Sequence, residues 1–131
     1  MAIIVNMMPK YKEIGYNSYK DYLDGSHWKD LKNRYQKSKL LKVCRVCGTN
    51  KQLVLHHRTY NFLGQEHISI HVHLVCRRCH ELIHYNPETK EKTPLTWKAL
   101  TMRQTYLRKL FKQERKRNQK ELRSNHSGSS S

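Results

Sequence analysis

The stretch LVLHHRTYNFLGQEHISIHVHLVCRRCHELIH, residues 53–84, holds seven of the chain's nine histidines and two of its four cysteines. LVLHH (53–57) is apolar and partly β-branched, which predicts a strand. RTYNFLGQE (58–66) predicts a loop with Gly64 at its turn. HISIHVHLV (67–75) alternates. Ile68, Ile70, Val72 and Leu74 fall on one face, and Ser69, His71 and His73 on the other, which predicts a second strand. CRRCHELIH (76–84) then runs into a short helix that Asn86-Pro87 should stop. The order is strand, loop, strand, helix, with metal-ligating residue types at the end of the first strand and the start of the helix.

Working outward, CRVCG (44–48) supplies a second cysteine pair. Cys44-x-x-Cys47 and Cys76-x-x-Cys79 together offer four thiolates, the tetrahedral set that Zn2+ prefers. The gap of 28 residues between the pairs is long for a compact zinc ribbon, so a functional insert is expected there. An all-thiolate site is coordinatively full. Such a zinc holds a fold and does not catalyse.

His80-x-x-x-His84 places two imidazoles one above the other on a helix, a spacing that lets both reach one metal. Cys79 must face the zinc, and His80 is turned about 100° from it around the axis. One helix can therefore serve two centres. His56 and His57 end the first strand, where neighbours point to opposite faces. If one faces the metal, the other faces away. A third ligand with an unligated imidazole nearby is what metal-assisted hydrolysis requires, but two structural histidines would look the same.

The bulk numbers favour a nucleic-acid partner. The chain has 131 residues, a net charge of +16 and 37% hydrophobic residues, with a mean hydropathy of -0.91. A chain so polar buries a thin core, and a metal staple would help it fold. Residues 1–43 carry nine Lys/Arg and four Asp/Glu, residues 44–84 five and two, and residues 85–131 twelve and four. The excess lies in the flanks, as phosphate-gripping arms around a metal-centred core would have it. No segment approaches the ~20 apolar residues of a membrane span. MAIIVNMMPK lacks the marks of a signal peptide and reads as a mature N-terminus, so a cytoplasmic protein is expected. Cysteine pairs there are metal ligands more often than disulfides.

The flanks are predicted helical. Ser18 and Asp21 form a weak capping box, and Gly25 ends that turn. Ser26 should cap a second helix, in which Trp28, Leu31 and Tyr35 recur at helical spacing and are expected in the core. NPETKEKTP is read as a linker. Thr96 or Thr93 should cap a last helix from about Pro94 to Leu122. Its charged end is either a solvated face or a DNA contact. SNHSGSSS is expected to be a flexible tail.

The pattern CRVCG…LVLHHRTYNFLGQE…HLVCRRCHELIH resembles the HNH endonuclease family in its zinc-bearing subgroup. The resemblance covers about residues 40–85, and YKDYLDGSHWKDLKNRYQ is similar to that subgroup's helical lead-in. It implies an α+β fold: a small ββα-metal (His-Me finger) core stapled by a four-cysteine zinc site, with flanking helices. The implied division is 1–43 as an N-terminal basic helical extension, 44–85 as the nuclease core, and 86–131 as a basic C-terminal helix and tail. It also implies roles. His57 matches the general base. His56, His80 and His84 match the ligands of a catalytic divalent ion, Mg2+ or another such as Mn2+. Cys44, Cys47, Cys76 and Cys79 match the structural Zn2+ ligands. Arg58, Arg77 and Arg78 flank the site and suit phosphate contacts. The family's middle Asn is replaced. His71 or His73 stands near that place, either touching phosphate or facing water, and Asn61 lies in the earlier loop.

The expectation is a metal-dependent DNA endonuclease or nickase acting on double-stranded DNA, as phages and mobile elements carry. It involves no membrane and no small-molecule cofactor, and the setting is a bacterial or phage-infected cell. The alternative is a non-catalytic zinc-stapled nucleic-acid-binding module.

Overall fold

A computed structural model describes residues 9–129, with side chains through residue 124. Most of the MAIIVNMMPK segment, read above as a mature N-terminus, therefore lies outside the described residues. In chain order the elements are α1 Lys10–Glu13, α2 Tyr19–Asp24, α3 Ser26–Lys37, β1 Leu53–His57, β2 Val72–Cys76, α4 Arg77–His84, β3 Tyr85–Asn86, β4 Glu91–Lys92 and α5 Trp97–Ser129. The chain is α+β. No helix among the described residues is long and apolar enough to cross a membrane.

The centre is the antiparallel pair β1–β2, in register from Leu53↔Cys76 to His57↔Val72. Residues directly opposite in an antiparallel pair share a face. Leu55 and Leu74 therefore share one face, where His57 and Val72 also lie. Val54 and Val75 share the other, with His56 and His73. The first face packs on α2 and α3 through Tyr22, Trp28, Leu31 and Tyr35. The second packs on α4 and α5, where Val75 meets Ile83, Leu100 and Leu107. Two thin cores thus lie back to back across one hairpin, and His56 and His57, adjacent in sequence, are divided between them.

Local rules place the helices. The Ser18 side chain accepts from Asp21 N at 3.0 Å and starts α2. Trp28, Leu31 and Tyr35 are buried, as their spacing predicts. Ser26 does not cap α3. It is the first helical residue, and Gly25 holds the cap position.

Several sequence expectations change. β2 begins at Val72, not at His67. Ile70 N and His71 N both donate to His67 O, at 3.1 and 3.0 Å, which makes a turn. The His71 ring accepts from His67 N at 2.9 Å, a local bond that competes with a strand ladder. The expected linker contains a small antiparallel hairpin, β3–β4. Glu88 N donates to Asn86 Oδ1 at 3.0 Å, and this turn brings the strands together.

The last helix starts at Trp97, capped by Thr96 through Ala99 N at 3.1 Å. Thr93 instead donates its N–H to the carbonyl of His84. α5 runs to Ser129, so most of the expected tail is helical. No proline follows Pro94, and extending a formed helix is far easier than starting one.

Candidate functional site

Cys44 and Cys47 sit in a tight turn before β1, closed by Gly48 at φ 84°, a conformation that glycine adopts without strain. Cys76 ends β2 and Cys79 lies in the first turn of α4. The four sulfurs lie within 4.8 Å of one another, and Cys47 Sγ is 3.8 Å from Cys76 Sγ. This arrangement could hold a zinc ion. Backbone N–H groups of Val46, Cys47 and Cys79 point at the sulfurs, at 3.4, 3.5 and 3.4 Å, which favours their charged forms. Four thiolates this close repel one another, and a divalent cation removes that repulsion. On α5, Arg115 Nη1 donates to Cys47 O at 2.7 Å and ties the long helix across the cysteine turn.

A second cluster lies one residue further along α4. His56, His80 and His84 bring one ring nitrogen each within 4.8 Å of the others. Their ring centroids are 5.3, 5.3 and 4.7 Å apart. The two-face reading of α4 holds. Cys79 and Ile83 are buried, while His80 and His84 are half-buried on the neighbouring face. His56 is fully buried, yet neither of its ring nitrogens has a hydrogen-bond partner among the described residues. An orphaned buried nitrogen costs about 1–3 kcal/mol, and an ion shared with His80 and His84 would answer it. Burial, then the His80 and His84 rings, push the His56 pKa down to about 2. Burial, then His84, push His80 to about 4. Burial also lowers His84. Neutral imidazole is the form that binds metal. The donor set is nitrogen only, and it suits a transition-metal ion better than oxygen-seeking Mg2+.

His57 points to the opposite face. It is unligated but engaged at both nitrogens, with only 2% of its surface exposed. Nε2 lies 2.8 Å from Glu66 Oε2, and Nδ1 lies 2.6 Å from the Tyr19 hydroxyl. The Trp28 ring stacks on it at 4.5 Å. Glu66 also accepts from the Tyr22 hydroxyl, from His27 Nε2 at 2.9 Å and from Gly64 N at 3.0 Å. Burial alone would raise the Glu66 pKa. The bonds from His57, Tyr22 and His27 outweigh burial and hold it down at about 2. The carboxylate is therefore charged, so His57 Nε2 carries the proton. In the neutral ring Nδ1 is then an acceptor, and the Tyr19 hydroxyl donates to it. An open cleft of about 470 Å³ runs beside β1, with Tyr19, Trp28, His57, Tyr60 and His80 among its walls. It touches both His57 and the imidazole cluster.

The other expected residues fall as follows. Arg77 is exposed, three residues before His80 and on the same side of α4. Arg78 is two residues before His80, on the far side, with its guanidinium 5.5 Å over the Phe111 ring. Arg58 Nη1 donates to Ile70 O at 2.9 Å, and its guanidinium lies 5.5 Å from the Trp97 ring. His71 is partly exposed and stacks on Phe62 at 4.2 Å. His73 is half-buried and lies 2.8 Å from Gln104 Nε2. Sequence reading missed Glu66, Tyr19 and Gln104. Only Glu66 left a signal: it and Glu81 are the sole carboxylates in residues 44–84. Family models, curated proteins and solved structures were all searched, and none matches this chain.

Proposed function

We propose that the chain is a metal-dependent DNA endonuclease or nickase of the HNH type. The observation that carries this reading is the His56–His80–His84 cluster, whose buried His56 nitrogens have no other partner. The strand–strand–helix order around it is similar to what a ββα-metal core requires. Zn2+ is assigned to the four cysteines as a fold-holding ion. A divalent ion is assigned to the three imidazoles, and the nitrogen donors favour a transition-metal ion such as Mn2+ over Mg2+. When bound there, a divalent ion stabilises negative charge on a phosphodiester.

The chain's own residues supply the rest. β1 carries His56 and one turn of α4 carries His80 and His84, so the elements themselves bring the three rings together. Glu66 keeps the His57 proton on Nε2 and leaves the Nδ1 lone pair to the Tyr19 hydroxyl, in the wall of the cleft. His57 Nδ1 accepts a proton from water once the Tyr19 hydroxyl gives up its bond. The test is nicking of supercoiled plasmid with Mg2+ or Mn2+. Wild type should relax the plasmid, and His57→Ala should lose about 100-fold or more in rate. Equal inactivity of both across several metals would remove the enzyme reading.

A second reading has one observation in its favour: both His57 nitrogens are engaged in the core. On that reading the chain is a non-catalytic zinc-stapled module that binds nucleic acid. It predicts salt-sensitive binding without cleavage.

A further inference from the structure

Three segments that each carry an arginine meet at His73. Arg58 continues β1. Its N–H donates to His71 O at 2.9 Å, so it lies two residues beyond His56 on the same face, opposite His71. Arg45 lies in the cysteine turn, and its N–H donates to Leu74 O at 2.9 Å, next to His73 along β2. Arg108 lies on α5, one helical turn after Gln104, which bonds the His73 ring at 2.8 Å. Three separate segments, each with an arginine, thus adjoin one imidazole. Among the described residues, none of the three arginines forms an ion pair. Arg34, by contrast, pairs with Asp30.

Like charges gathered without a counter-ion oppose folding and persist where an anion is the partner. Guanidinium groups match phosphate oxygens in pairs. His73 is the cross-strand neighbour of His56, so this group adjoins the imidazole cluster along the sheet.

We infer that Arg45, Arg58 and Arg108 form a phosphate-binding site that grips the DNA backbone beside the imidazole centre. The inference rests on the chain acting on DNA, and not on its cutting DNA. Arg58 is half-buried and its bond to Ile70 O holds the turn before β2, whereas Arg45 and Arg108 are exposed. The last two can be changed with least harm to the fold.

The experiment is a fluorescence-anisotropy titration of a labelled duplex against zinc-loaded protein, without added Mg2+, across about 50–200 mM salt. Wild type is compared with Arg45→Gln/Arg108→Gln and with Lys116→Gln/Lys120→Gln, which removes equal charge further along α5. Zinc content and circular dichroism confirm that each variant is folded, and Arg108→Gln alone serves if the double variant is not. The arginine pair should reduce the salt slope by about 2, or Arg108→Gln alone by about 1, with weaker binding at every salt. The lysine pair should reduce it less. Unchanged binding by the arginine variant, an equal loss in the lysine variant, or no duplex binding by wild type would each overturn the site. Absence of nicking with this pattern intact would sink the nuclease reading alone.

Discussion

His57 Nε2 lies 2.8 Å from Glu66 Oε2, and both side chains are buried. The pair joins the loop before β2 to the end of β1. Tyr22 and His27, from α2 and α3, complete the carboxylate's contacts. One carboxylate therefore ties the N-terminal helices to the sheet and fixes which nitrogen of His57 carries the proton.

Glu66→Gln tests the structural half of this. The folded carboxyl, at about 2, keeps its charge to lower pH than an unfolded one at 4.5. Its contribution is full above the unfolded value and is lost as pH falls toward 2. It amounts to about 3 kcal/mol near neutrality. Denaturant melts of wild type and Glu66→Gln should differ by an amount of that order at pH 7. The difference should shrink steadily between about pH 5 and 2. A difference independent of pH would mean that the charge is not what matters.

Trp28→Ala removes the ring stacked on His57 at 4.5 Å and leaves a gap between α3 and the sheet. Large-to-small changes at such sites cost about 3–5 kcal/mol. Thermal melts should show a large fall in midpoint with zinc content unchanged, since the cysteines pack in the other core. A near-neutral effect would argue against the packing of α3 on β1.

Cys76→Ser, or a strong chelator, should unfold the chain. Structural zinc supplies about 10–16 kcal/mol in small domains, while whole domains are stable by about 5–15 kcal/mol. Far-UV circular dichroism should lose most of its helical signal outside α5. A chain that keeps its near-UV signal and its cooperative melt without zinc would show that the thiolate set is not its staple.

Much of this arrangement is legible in the residues. The CxxC spacing, the His80–His84 spacing and the strand period of LVLHH indicate both clusters of metal-ligating residue types and their placement on two sides of α4. The capping of Ser18 and the burial of Trp28, Leu31 and Tyr35 follow from local rules. What was not legible depends on distant partners. Nothing near Glu66 in sequence announces Tyr22 or His27, which reach it from about 40 residues away. Ile68 and Ile70 alternate like a strand, but side-chain bonding by His67 and His71 turns the chain there. His73 is held by Gln104 of α5, a long-range contact that no period reveals. His57 carries both kinds of information. Its place is local, and its proton is set by the tertiary fold.

The central claim is that the three imidazoles hold the ion that cuts DNA while the four thiolates hold the fold. Plasmid nicking by wild type and His84→Ala, each with zinc content measured, tests it most directly. Wild type should nick with Mg2+ or Mn2+. His84→Ala should keep its zinc and its melt and lose about 100-fold or more in rate, as loss of a metal ligand does at the lower bound. Nicking by His84→Ala at the wild-type rate, or no nicking by a folded, zinc-loaded wild type with any divalent ion, would contradict it.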